Sequence, residues 1–294
     1  MSGIVSTLDF HVTAACTQEC AYCWGPPHRM AAVETAHALA IIERVRAFGV
    51  RRIVFTGGDP LLRRDITTLI QHAHRIGLEV AVSTTGDRLT RASLDATRGC
   101  IALVSLPLDG STEALNALTK RPGHLAAVLD ALDLLADYPD IDVKLCTPVT
   151  RHNRHDIVNI AALAEAWAAT VSNRVFYNVF QVFPRAWEPC DWDGLLVLDR
   201  DWEAMVDAVQ SLEFGIRINF LSTAVLDRLY VLILPDGGLY VPSGPDYHYF
   251  GPLLDIDNLD TILRASDFDS IKHLRHSQAW GKTVPLTLTP SPAT

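Results

Sequence analysis

The sequence predicts an α/β fold: six strand-and-helix units in succession, feeding a parallel sheet and followed by a small C-terminal extension. Short runs rich in β-branched and aromatic residues recur along the chain, and between them lie stretches with apolar residues at three-to-four spacing. That alternation places helices over the faces of a parallel sheet. No repeat of solenoid period is present and no Ser/Pro-rich linker divides the chain. One core domain is therefore expected over 1–223, with an extension over 224–294.

Strands are expected near 7–13, 51–56, 79–84, 101–107, 142–148, 174–183 and 216–221, and helices over 31–48, 64–76, 90–98, 123–136, 154–169 and 199–212. The first strand is the apolar run Leu8-Asp9-Phe10-His11-Val12. The second runs into Thr56-Gly57-Gly58-Asp59-Pro60, where two glycines permit a sharp turn and close backbone approach to a ligand. The third and fourth end in Ser83-Thr84-Thr85-Gly86 and Ser105-Leu106-Pro107, bringing hydroxyls to the edge where parallel barrels gather their sites. Such hydroxyls also serve to satisfy turn amides. The fifth leads through Cys146 to Thr150-Arg151-His152-Asn153, with Asn153 placed as a helix cap. In the sixth, Phe176 and Phe180 are expected in the core, and Cys100 and Cys146 are expected as small buried hydrophobes.

Composition narrows the function classes. With 294 residues, 49% of them hydrophobic, the chain is long enough for one large core. A net charge of −9 with only four lysines argues against a nucleic-acid surface and fits a cationic or neutral small molecule. No 18-residue apolar run and no basic patch leading into an apolar segment are present, so neither a membrane partner nor secretion is expected, and the expected location is cytoplasmic. Six cysteines, three of them clustered, do not read as a disulfide framework in a chain of this length.

The cluster is Cys16-x3-Cys20-x2-Cys23, with Tyr22 and Trp24 flanking the last thiol. Tight spacing lets one segment wrap a corner of a cubane iron-sulfur cluster, and three thiolates leave one iron open to a small molecule. A zinc site completed by His11 or His28 is the competing reading, since thiolate and imidazole are the ligands zinc prefers.

The spacing with Tyr22 resembles the signature of the radical S-adenosylmethionine (SAM) superfamily. That resemblance implies a partial (β/α)6 TIM-like barrel, one 4Fe-4S cluster on Cys16, Cys20 and Cys23, and SAM chelating the open iron. It also implies reductive cleavage of SAM to a 5'-deoxyadenosyl radical, with electrons from a donor such as flavodoxin or ferredoxin. Gly57-Gly58-Asp59-Pro60 is similar to the family's Gly-Gly-Glu-Pro motif, which holds the amino group of SAM, with Asp59 where glutamate is usual. By the same resemblance, Tyr22, Ser83, Thr84, Ser105, Asn153 and Gln181 belong around SAM. The segment around Pro235-Asp236-Gly237 resembles the hairpin of auxiliary-cluster extensions, but Ser243 stands where those carry a cysteine. With no cysteine beyond Cys190, one cluster is expected.

For the reaction, oxidation of a secondary alcohol is favoured, which needs a base near the carbinol; Asp109, Glu188, Asp191 and Asp193 are the candidates. Epimerisation instead needs a hydrogen donor, for which Cys190 is best placed by position. The loop from Arg185 to Gly194 combines Trp187 and Trp192 with three carboxylates, as suits an amino-sugar or aminocyclitol of the kind met in antibiotic biosynthesis. Peptide modification and a zinc-stabilised binding protein are the alternatives.

Overall fold

The computed structural model describes residues 4–185, 187 and 190–278. Strand β1 (Thr7–His11) leads to helix α1 (Thr35–Ala47), β2 (Arg52–Thr56) to α2 (Ile66–Arg75), and β3 (Glu79–Ser83) to α3 (Arg91–Ala96). Then β4 (Ile101–Pro107) leads to α4 (Glu113–Asn116) and α5 (His124–Ala136), β5 (Asp142–Val149) to α6 (Ile157–Ala168), and β6 (Val175–Gln181) to α7 (Trp192–Leu195) and α8 (Asp199–Gln210). After β7 (Arg217–Leu221) come α9 (Thr223–Leu226), β8 (Leu232–Ile233), β9 (Gly238–Ser243), β10 (Asp246–Pro252), α10 (Leu259–Arg264) and α11 (Ser270–Gln278). The seven expected strands are all present, within a few residues of the expected bounds.

These strands form one open sheet in the order β10-β9-β8-β1-β2-β3-β4-β5-β6-β7, with β1 to β7 parallel throughout. Such a sheet is the partial TIM-like barrel of the α/β class. The segment after 224 does not stand apart from it: β8 pairs parallel with β1, Asp9 opposite Leu232, and the β8–β9–β10 meander carries the sheet onward.

Alternation along each strand sorts side chains between two sides. On β1, Leu8 and Phe10 are fully buried in the large core between sheet and helices, which α1 meets with Ala38, Ile41, Ile42 and Val45 at helical spacing. Asp9 and His11 point the other way, into the barrel. There Val54, Ala81, Leu103 and Phe176 form a small separate apolar layer, so Phe176 is core as expected.

Helix α11 closes the end of the barrel where the strands begin. His273 Nε2 accepts from the backbone N–H of Ser6 (3.1 Å) and Thr7 (3.2 Å) while Nδ1 donates to Leu229 O (3.0 Å). Arg52 adds a hydrogen bond to Ser277 O at 3.1 Å. The cysteine loop and the glycine turn lie at the opposite end, where the strands finish.

Candidate active site

Cys16, Cys20 and Cys23 lie in the loop after β1 and line a cavity of about 200 Å³ together with Gly57, Gly58, Ser83, Thr84, Ser105 and Lys120. Each sulfur accepts one hydrogen bond: Cys16 from Gln18 N (3.4 Å), Cys23 from Gly25 N (3.3 Å) and Cys20 from Lys120 Nζ (3.0 Å). Donors aimed at all three sulfurs suit thiolates that carry charge in a cluster. Burial, helped by the neighbouring thiols, pushes the Cys16 thiol to about 11 and raises that of Cys23; ligation is what would hold them deprotonated.

Of the imidazoles weighed for a zinc site, His28 is exposed at the rim of this cavity, and His11 lies under the barrel strands in a second cavity described below. Among the described residues, no three His, Cys, Asp or Glu side chains converge as one metal ion requires. A cubane takes its thiolates on three separate irons, which suits the spread of these three sulfurs better.

The double glycine positions the loop. Gly57 has φ +145°, and a Cβ there would stand 2.2 Å from Thr13 O; on Gly58 it would stand 2.2 Å from Ala15 O. In that close approach Gly58 N donates to Thr13 O at 2.8 Å and Asp59 N to Ala15 O at 2.7 Å, stitching the β2 turn to the start of the cysteine loop. Asp59 is fully buried and faces away from the cavity, its carboxylate accepting from Leu61 N (3.0 Å), Thr84 Oγ1 (2.9 Å) and Thr85 Oγ1 (2.5 Å). The shorter aspartate thus ties β2 to β3, while Pro60, buried, opens the turn after it. Ser105 Oγ is buried at the cavity with no hydrogen-bond partner among the described residues, a group left for a ligand to satisfy.

Other expected site residues turn out to be supports. Asp109 is fully buried, accepts from Thr119 Oγ1 (2.6 Å) and from Tyr22 OH, and stands 3.8 Å from Lys120 Nζ. It lines neither cavity, and its Oδ1 has no hydrogen-bond partner among the described residues. Asn153 caps its turn, accepting from Thr150 N at 2.7 Å and donating to Asp109 O at 2.9 Å. Gln181 bridges Asp199 (3.0 Å) and Thr223 N (3.1 Å) instead of facing a ligand.

Asp191 and Asp193 of the carboxylate loop line neither cavity. Asp191 is exposed and caps α7 through Gly194 N, Asp193 is exposed, and Glu188 lies outside the described residues. Cys190 packs behind the cysteine loop beside Tyr22 and Cys20, its Sγ donating to Ala21 O at 2.7 Å. Trp187 anchors the loop, stacked on Tyr247 with centroids 4.3 Å apart.

A second cavity of about 290 Å³ occupies the barrel interior and adjoins the first, the two sharing Gly25, Thr56, Gly57, Ser83 and Cys146. Cys146 is therefore not the inert hydrophobe expected; it is half-buried and opens on both. Phe180, also expected in the core, lines this cavity, as do Asp9, His11, Lys144, Arg185 and His276. Burial raises the Asp9 carboxyl to about 7 against the pull of Lys144, and lowers His11 to about 4. The signal for Asp9 and Lys144 was present in the sequence: a charged residue between apolar neighbours on a strand marks the barrel's inner side.

Fold and site together define the class, an open parallel barrel that gathers a thiol-lined pocket and an interior cavity at the carboxyl edge of its strands. The Radical SAM superfamily matches residues 10–164, more than half of the chain, and this chain belongs to that superfamily. Its members use a 4Fe-4S cluster and SAM.

Similar relatives include the S-adenosylmethionine-dependent nucleotide dehydratase of Lacinutrix mariniflava, 24% identical over 284 residues that cover 92% of this chain and 57% of the relative. That of Flammeovirga pacifica is 23% identical over 272 residues, 87% of this chain and 89% of the relative. This chain thus spans little more than half the length of the first. Among solved structures, Streptococcus suis SuiB bound to S-adenosylmethionine superposes with a TM-score of 0.69 at 13% identity, over 92% of this chain and 68% of SuiB. At that identity the likeness is one of fold. No helix among the described residues is long and apolar enough to cross a membrane.

Proposed function

We propose that the chain takes a hydrogen atom from a carbinol carbon of a small hydroxylated molecule held in the interior cavity, leading to oxidation of the alcohol. The supporting observation is that the thiol-lined cavity adjoins the interior one, the two sharing five lining residues. When bound on Cys16, Cys20 and Cys23, the cluster with SAM supplies a 5'-deoxyadenosyl radical.

The protein's own groups then have distinct tasks. Gly57 and Gly58 let the backbone come close to the amino group of SAM, and the Ser105 hydroxyl offers a hydrogen bond within the same cavity. Asp9 replaces the exposed Asp191 and Asp193 as the base: it lines the interior cavity, and a carboxyl near neutrality is suited to taking the hydroxyl proton. A carbinol that has lost a hydrogen atom, a proton and an electron is a ketone, and a protein such as flavodoxin or ferredoxin can carry the electron. An aminated substrate has less support, because Asp191 and Asp193, two of the carboxylates expected to pair with its ammonium groups, line neither cavity.

Elimination of water from a nucleotide is a second reading, favoured by the two relatives matched along most of this chain. Both readings begin with the same abstraction. Cluster-loaded protein with SAM and dithionite, offered substrate deuterated at the carbinol carbon, is expected to place deuterium in 5'-deoxyadenosine. A product lacking two hydrogens supports oxidation and one lacking water supports elimination; no transfer with any hydroxylated candidate counts against both.

A further inference from the structure

We infer that the interior cavity takes an anionic small molecule, its carboxylate or phosphate lodged against Arg185. The inference rests on the reading of that cavity as the substrate site and names the substrate's charge.

Arg185 leaves β6 with its side chain 4% exposed and its guanidinium over the Phe183 ring, 4.4 Å from the centroid. Nε donates to Gly244 O at 2.9 Å, which fixes the fork in place. Nη2 is buried and makes no hydrogen bond among the described residues. The Asp227 carboxylate stands 3.9 Å away, beyond hydrogen-bond reach. That carboxylate is already occupied, Oδ1 by Gly244 N (2.7 Å) and Oδ2 by Arg228 Nε (3.0 Å). A buried guanidinium with an idle donor on a cavity wall is incomplete without an acceptor, and the acceptors that match it best are carboxylate and phosphate oxygens.

The rest of the lining agrees in sign. Lys144 from β5 faces the same space, and the one carboxylate in the described lining is Asp9, which holds its proton up to about 7. The described lining thus carries two basic side chains, Arg185 and Lys144, against a single acidic one. This reverses the cationic substrate suggested by net charge and by the loop carboxylates, because the exposed acids that set the net charge do not face the cavity.

A ring-matched series tests the inference: glucose 6-phosphate, glucuronate, glucose and glucosamine, titrated calorimetrically into cluster-loaded protein with SAM. At least one anion should bind about tenfold or more tighter than glucose, glucosamine should gain nothing, and the tighter of the two anions identifies the acidic group. Arg185→Met should abolish the anion preference and Arg185→Lys should restore part of it, with thermal melts showing that both variants fold. Glucosamine binding tighter than either anion, no anion outbinding glucose, or a preference that survives Arg185→Met overturns the inference. SAM cleavage by the wild-type protein in the same preparation tests the radical reading separately, so the two fail in distinguishable ways.

Discussion

Lys120 Nζ donates to Cys20 Sγ at 3.0 Å across 100 positions of sequence, the longest-range hydrogen bond to any of the three clustered thiols. The ammonium is buried, which opposes its charge, yet Asp109 and Cys20 outweigh burial and its proton is held more tightly than usual. Asp109 in turn takes the Tyr22 hydroxyl, and the Lys120 ammonium stands 5.2 Å from the Tyr22 ring centroid. The aromatic residue of the cysteine motif is thus bound to the cation that serves one of its thiols.

Replacing that cation should shift the redox behaviour of the site. Lys120→Met is expected to make cluster reduction more difficult by tens of millivolts. A hydrogen bond to a charged group is worth about 1.5–3 kcal/mol, and about 59 mV corresponds to tenfold for one electron. Redox titration followed by visible absorbance measures it; an unchanged potential would separate Lys120 from the cluster.

Asp9 gives the reaction its pH dependence. Its carboxyl is raised to about 7, first by burial and with Lys144 opposing, so as a base it works only once deprotonated. Turnover should rise with pH and level off above about 7, and Asp9→Asn should lower it by about 10²–10⁴-fold. Stability runs the other way: between the ordinary 3.8 and about 7 the folded chain keeps a proton that the unfolded chain releases, so stability falls as pH rises. Above neutrality Asp9→Asn should melt higher than wild type. A turnover profile flat across neutrality would count against Asp9.

Two thiols separate oxidation from epimerisation. Cys146 opens on both cavities whereas Cys190 is hydrogen-bonded behind the cysteine loop. Cys190→Ala should leave product formation within about twofold, because this thiol lines neither cavity. If the enzyme epimerises, Cys146→Ala should stop uptake of solvent deuterium into product; if it oxidises, that substitution should leave the ketone product in place. Loss of turnover in Cys190→Ala would return the donor role to that thiol.

Helix α11 is held by a neutral imidazole. His273 must accept at Nε2 from Ser6 and Thr7, and burial lowers its pKa from 6.5 to about 4. A depressed histidine contributes stability that is complete above 6.5 and is lost as pH falls toward about 4. His273→Ala, which leaves two buried amides unpaired, should cost about 1–3 kcal/mol in denaturant unfolding at neutral pH. A smaller loss would mean that water replaces the imidazole.

The strands and the cysteine loop were legible because their signals are local: alternation on β1, thiol spacing after it, and glycines after β2. What the chain hid depends on contacts far apart in sequence. Asp109 ends β4 at the correct edge, but Tyr22, Thr119 and Lys120 claim its carboxylate, and no local pattern foretells that. Cys146 is expected as a small buried hydrophobe because free cysteine commonly is one; only the strand's inward phase turns it to the cavities. Residues from the extension, such as Leu232, reach the cavity through β8 pairing with β1, a juxtaposition across more than two hundred residues.

The most direct test of the central claim is the electron paramagnetic resonance spectrum of anaerobically reconstituted, dithionite-reduced protein, recorded with and without SAM. A reduced 4Fe-4S signal that changes shape when SAM is added, and that is lost in Cys16→Ala, is the predicted result. A colourless protein that binds zinc through the same thiols and shows no such signal would contradict it.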